Sequence, residues 1–308
     1  MYSIGVDIGG TKCKVGVVNT DNIISKSIID TPSDGIESVI CEVAKVIDSL
    51  VTNEEISGIG VGIRGTFNDG LLNDAVLKAK DISIEKLFAK YFPGYKVVVT
   101  NDANAAAVAE LKYGQLKGIK NGMLITLGTG IGAGIILDGN LYEGTNKNAG
   151  EIGRMFFNMN EIENYDFLNV KGTYESEAST LALVNRVKEA LKEDKYKNSD
   201  ILNQCENVLD ELNAKHIFNA YDNGDELARV MLEKHFEYIT AGVINLITIF
   251  DLEKIVISGG ISKRGDLIIN KIKEIIETNN LTFAKKCSIV VSKFHNDAGI
   301  IGSANLIL

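Results

Sequence analysis

The residues best suited to chemistry open the chain. Residues 4–12 read I-G-V-D-I-G-G-T-K, with Ile4, Val6 and Ile8 alternating with Gly5, Asp7 and Gly9. That alternation predicts a short strand running into a glycine turn, followed at once by a second strand over residues 13–18. A turn of Gly9, Gly10 and Thr11 between two strands gathers backbone N–H groups into a concave surface that can hold phosphate. Asp7 stands at its mouth, where a carboxylate would help hold Mg²⁺ among phosphate oxygens. Lys12 adds a positive charge there or is simply solvated. The same residues make an ordinary hairpin with a surface aspartate, and by themselves they do not choose.

The pattern returns over residues 123–140, M-L-I-T-L-G-T-G-I-G-A-G-I-I-L-D-G-N. Here Gly128, Thr129 and Gly130 form the turn, and Asp138-Gly139 signals another hairpin. Two such hairpins about half a chain apart suggest two similar lobes facing one nucleotide. A third candidate lies between them. A β-branched strand over residues 96–100 ends at Asn101-Asp102, and an alanine-rich helix over 103–113 follows, closed by Gly114. Either residue could be that helix's N-cap, yet a strand-to-helix corner is also where open α/β sheets place their chemistry.

The elements that must position these residues are those of a soluble α/β protein. The 308 residues leave room for two cores, and 45% hydrophobic with 24% charged residues is the globular norm. A net charge of −9 argues against nucleic acid or an anionic membrane as partner, and no apolar run reaches membrane-spanning length. A cytoplasmic protein is expected. Cys13, Cys41, Cys205 and Cys287 are scattered and expected to be reduced, and with His216, His235 and His295 they assemble no zinc set. Helical spacing predicts helices over 36–50 behind a Ser33/Asp34 cap, then over 175–193, 200–212, 225–250 and 267–277. The long one is apolar nearly all round after Ile239, which suits a buried helix or a subunit contact. Strands are expected over 59–63, 254–258 and 288–291, and a small-residue helix over 297–308.

With these residues in place, the chain resembles the ROK family of sugar kinases, within the hexokinase/actin-like (ribonuclease H-like) superfamily. The resemblance rests on residues 7–12, 60–65, 101–104, 127–134, 150–153, 175–179, 258–262 and 297–304, in family order. It implies a two-lobed α/β fold with the duplicated glycine-turn hairpin. A smaller lobe would span 1–114, with 297–308 packing back on it, a larger one 115–296, and the active site would lie in the cleft. It further implies ATP and Mg²⁺ as cofactors, a homodimer, and neither nucleic acid nor membrane as partner. Gly9, Gly10, Thr11, Lys12, Gly128, Thr129 and Gly130 would serve the phosphates, with Asp7 near the metal. Gly259 and Gly260 would let the backbone approach the adenosine.

Phosphoryl transfer to an alcohol needs a place for the acceptor's proton, and Asp102 is the expected base, since the hydroxyl grows acidic as its bond to phosphorus forms. Gly65, Asn101, Glu151, Arg154 and Glu175 would line the sugar site. Carboxylates suit adjacent hydroxyls, and Asn101 offers both a donor and an acceptor. Two positions depart from the family. Arg154 stands where many members carry a histidine that contacts sugar and ligates zinc, and no cysteine follows in residues 155–174. Zinc is therefore not expected, since arginine is no metal ligand. Arg154 should face the sugar or pair with Glu151 or Glu175, while Phe156, Phe157, Tyr165 and Phe167 hold the loop. Arg64 replaces a proline. The expectation is an ATP-dependent sugar 6-kinase, with N-acetylmannosamine ahead of glucose. A non-catalytic sugar- or ATP-binding regulator is the alternative class. The family's repressors carry a DNA-binding domain ahead of the phosphate strand, which here begins at Ile4.

Overall fold

The computed structural model describes residues 1–52, 54–158 and 171–308. In the first half, β1 (Tyr2–Ile8), β2 (Lys12–Asn19) and β3 (Asn22–Asp30) form an antiparallel meander. Helix α1 (Ile36–Leu50) then buries the stripe Ile36, Val39, Ile40, Val43 and Ile47 that its spacing predicts. It starts from Gly35, with no side-chain cap, so the expected Ser33/Asp34 cap is not used. β4 (Ile56–Ile63) pairs parallel to β1. A small sheet of β5 (Thr66–Asn68), β6 (Leu71–Asp74) and β7 (Ala79–Ile82) follows, and then α2 (Ile84–Tyr91), which packs against α1 and the next strand of the main sheet. β8 (Val97–Asn101) closes the main sheet, in the order β3-β2-β1-β4-β8, and runs straight into α3 (Asp102–Tyr113).

The second half repeats this plan. β9 (Gly122–Leu127), β10 (Ile131–Leu137) and β11 (Asn140–Tyr142) are antiparallel, and β12 (Lys254–Ser258) and β13 (Ser288–Val291) extend them in parallel. The order is β11-β10-β9-β12-β13, the counterpart of the first sheet strand for strand.

The helix expected over 175–193 is two helices, α4 (Tyr174–Ala178) and α5 (Thr180–Ala190), parted at Ser179. Ser179 is extended because Thr180 N–H donates to Gly128 O at 2.8 Å, so a tertiary bond overrides the local pattern. The helix expected over 200–212 stops at Gln204 as α6 (Asp200–Gln204), and α7 (Ala214–Asp222) was not anticipated. α8 (Glu226–Phe250) is long as expected, but its burial follows one face, since Ile249 near its end is 66% exposed. α9 (Gly265–Thr278) and α10 (Ala298–Ala304) complete the chain.

α10 lies against β1, β4 and α3 along a seam of small residues. A Cβ added at Gly5 would stand 2.0 Å from Ile300 O, and one at Gly302 would stand 1.6 Å from Ala105 O. That closeness explains the alanine-rich α3. It is buried from Ala103 to Glu110, and larger side chains would hold the two helices apart.

Candidate active site

Two adjoining cavities of about 320 Å³ each open at the strand ends and share Gly10, Asp102, Thr126 and Gly259. The first, the acceptor cavity, gathers Gly65, Asn101, Glu151, Arg154 and Glu175 with the second glycine turn, Gly128, Thr129 and Gly130. The second, the phosphate-side cavity, takes Asp7, Gly9, Thr11, Lys12 and Lys14 from the first hairpin. Gly260 lines neither cavity. It opens a 3₁₀ turn beyond Gly259.

Asp102 sits where the cavities meet, at the first residue of α3. Asn101 is the helix N-cap. Its Oδ1 accepts from Ala103 N–H at 2.9 Å, while its Nδ2 donates to Gly65 O at 3.3 Å and ties the loop after β4 to the corner. Capping and cavity lining therefore coexist at one corner. Asp102 Oδ1 also accepts from Ala103 N–H, at 2.8 Å. Burial pushes the Asp102 carboxyl up to about 6, and the neighbouring charge of Asp7 adds to the rise. The Ala103 N–H and Arg64 oppose it.

Glu151 precedes a 3₁₀ turn at Ile152–Arg154, and its pKa is raised, chiefly by burial. Arg154 opposes that rise, while Asp102 and Glu175 add to it, so the four charges share one field. Arg154 thus lies in the cavity beside Glu151. Glu175 is held by α4, whose N-terminus carries a Thr173/Ser176 capping box. Its Oε2 accepts from Ile131 N–H at 2.8 Å and fills the space a side chain at Gly130 would need. Phe157 stacks on Tyr174 with ring centroids 4.9 Å apart, and Phe156 bridges to Thr173. Tyr165 and Phe167 lie outside the described residues. From the second half, Asn148 reaches β5 and both accepts from Phe67 N–H and donates to Phe67 O, at 2.9 and 2.8 Å.

On the phosphate side, Asp7 is paired with Lys14 Nζ at 2.8 Å, and Lys14 also donates to Asn296 O at 3.1 Å. Lys12 turns its amine to Asp30 at the surface. Sequence reasoning missed Lys14, although β2 places it on the same face as Lys12 and directly opposite Asp7 in the hairpin register. It missed Asp74 and Thr126 as well. This cavity holds two carboxylates, Asp7 and Asp102, and no cluster of three or more His, Cys, Asp or Glu occurs among the described residues. Such a site suits a cation that arrives on phosphates, with few protein ligands. The four cysteines are free, and His235 is buried against Arg186, its Nδ1 3.2 Å from Nη2.

Duplicated sheets with a carboxylate between two glycine turns define an α/β protein of the hexokinase/actin-like fold. The chain belongs to the ROK family, whose sequence profile matches residues 3–308. It is 31% identical to the glucokinase of Streptomyces coelicolor over 99% of this chain and 96% of that protein. Among solved structures, it superposes on a ROK family glucokinase from Streptomyces griseus, in complex with glucose and AMPPNP, with a TM-score of 0.85. That pair is 27% identical and covers 99% of each chain. A Listeria monocytogenes protein provisionally assigned as an N-acetylmannosamine kinase gives 0.82 at 27% identity, over 100% of this chain and 98% of that one. Among the described residues, no helix is long and apolar enough to cross a membrane.

Proposed function

We propose that the chain is an ATP-dependent carbohydrate kinase that transfers the γ-phosphoryl group of ATP to the 6-hydroxyl of a hexose or N-acylhexosamine. The observation that carries this is Asp102, set where the two cavities meet with its pKa raised to about 6. The phosphates lie along Gly9, Gly10 and Thr11, with Lys14 supplying charge next to Asp7. The sugar lies among Asn101, Glu151 and Glu175. O6 attacks the γ-phosphorus while the bond to the bridging oxygen breaks and ADP leaves with that electron pair. Asp102 takes the O6 proton, and its raised pKa makes it a stronger base than an ordinary aspartate. Mg²⁺ carried on the phosphates would supply positive charge to their oxygens during transfer. Asp7 is the carboxylate best placed to meet it.

Similarity to two glucokinases weighs toward glucose, which reverses the order expected from the sequence. N-acetylmannosamine is the second reading, favoured by Arg154 beside Glu151 where many members of the family carry a sugar-contacting histidine. An ATP-coupled assay over hexoses and N-acylhexosamines, with the product's phosphorylated position read by NMR, tests both. Turnover of one sugar at O6 supports the proposal. Sugar and ATP binding with no turnover on any sugar supports the regulator class instead.

A further inference from the structure

Arg64 follows the last residue of β4, and its backbone N–H donates to Ile8 O at 3.1 Å, which ties it to the strand that enters the first glycine turn. Its side chain is held as firmly. Nε donates to Asp74 Oδ2 at 2.9 Å, and the Asp74 side chain is only 7% exposed. Asp74 is itself fixed, because its Oδ1 accepts from Leu77 N–H at 2.7 Å. One carboxylate anchored in the small sheet thus sets the plane of the guanidinium.

That plane brings Nη1 over the glycine turn, where a Cβ added at Gly10 would stand 2.4 Å from it. Among the described residues neither Nη atom has a hydrogen-bond partner. The Arg64 side chain is 39% exposed and borders the acceptor cavity with Gly10 and Asp102, two of the residues common to both cavities. A fork anchored through Nε, with Nη1 over the glycine turn where donor and acceptor meet, has the geometry to grip oxygens there.

We propose that Arg64 is a catalytic residue of the reaction proposed above, donating from its Nη atoms to the non-bridging oxygens of the phosphoryl group in transfer. Asp74 is its positioning residue. The inference rests on the kinase reading of the site. In the transfer itself Arg64 exchanges no proton. The bridging P–O bond breaks toward ADP, the O6–phosphorus bond forms, and the proton passes to Asp102. Arg64 offsets the negative charge that is spread over the equatorial oxygens in the transition state. A proline at this place, which the family resemblance would lead one to expect, could not do so.

The test compares wild type with Arg64→Ala, Arg64→Lys and Asp74→Asn, on the sugar that wild type phosphorylates best. Arg64→Ala should lower kcat roughly 10²- to 10³-fold with little change in the sugar's KM. Added guanidinium chloride at sub-denaturing concentration should restore part of that loss. Arg64→Lys should retain part of the activity, and Asp74→Asn should lower kcat less than Arg64→Ala. Wild type should bind ADP with aluminium fluoride and sugar far more tightly than Arg64→Ala does, whereas both bind ADP alone alike. An unchanged kcat in Arg64→Ala overturns the proposal, as does a loss confined to sugar KM. A loss of kcat that guanidinium does not rescue, with aluminium fluoride binding intact, overturns it too. Should Arg64→Ala not fold, Arg64→Lys and Asp74→Asn decide by the same aluminium fluoride comparison. Absence of any wild-type turnover would instead overturn the kinase reading on which the proposal stands.

Discussion

The two halves end alike and do different work. In each, a parallel edge strand runs toward a helix, β8 into α3 and β13 toward α10. The first corner carries Asn101 and Asp102, and Asp102 opens on both cavities. The second carries Ser292, whose Oγ donates to Glu110 Oε1 at 2.7 Å, with Phe294 N–H joining at 3.2 Å. Gln115 N–H donates to the other oxygen of Glu110 at 2.6 Å. Glu110 is wholly buried, yet three donors compensate its charge. Asp102 has backbone donors alone, Ala103 N–H at 2.8 Å and its own N–H, and an acid, Asp7, nearby. The second corner is therefore braced on the far end of α3 through Glu110, whereas the first leaves Asp102 facing both cavities.

The sharpest way to break this contrast is Asp102→Asn, which should lower turnover by ~10²–10⁴-fold while sugar and ATP still bind. The same variant should gain stability near neutral pH. A folded pKa raised above the unfolded value means the folded chain holds a proton that the unfolded chain has lost, so stability falls as pH rises from about 4 toward about 6. Removing the charge should raise stability by on the order of 1–3 kcal/mol at pH 7.5, read by denaturant titration. An unaltered turnover would make Asp102 a cap alone.

Gly302→Ala tests the seam that joins the corners. Its Cβ would meet Ala105 O at 1.6 Å, so a loss of about 3 kcal/mol or a failure to fold is expected. A variant as stable as wild type would mean the helices separate without cost. Ser292→Ala should cost about 1–3 kcal/mol by removing one of the donors to Glu110, with turnover per folded molecule unchanged. A drop in kcat there would give the second corner a part in the chemistry. On stability the smallest effect expected is that of EDTA, which should leave Tm unchanged while abolishing activity through loss of Mg²⁺. One zinc per chain by elemental analysis would contradict the zinc-free expectation drawn from Arg154.

Much of this was legible in the sequence because glycine turns and strand-to-helix corners are local. Gly10 and Gly130 leave room for the side chains of Arg64 and Glu175, Asn101 caps α3, and Gly9-Gly10-Thr11, Gly128-Thr129-Gly130 and Asn101-Asp102 all reach the cavities. The Arg64–Asp74 pair was not legible. Strands β5, β6 and β7 are three or four residues long, too short for an alternating pattern to declare itself, and their register brings Asp74 back to Arg64. Ser179 hid for another reason. It lies inside a run of apolar helical spacing, and its capping bond from Ala182 N–H at 3.1 Å together with the bond from Thr180 N–H to Gly128 O breaks the helix there. Lys14 could have been found by pairing the hairpin on paper, which sets it opposite Asp7.

The central claim is that Asp102 is the base that receives the acceptor's proton. It is tested most directly by the pH dependence of kcat/KM for the preferred sugar, in wild type and in Asp102→Asn. Wild type should lose activity as pH falls through about 6, because protonation removes the base. The variant should run at its low residual rate with that limb absent. A variant with a near-wild-type rate and the same acid limb would assign the base to another group and contradict the account.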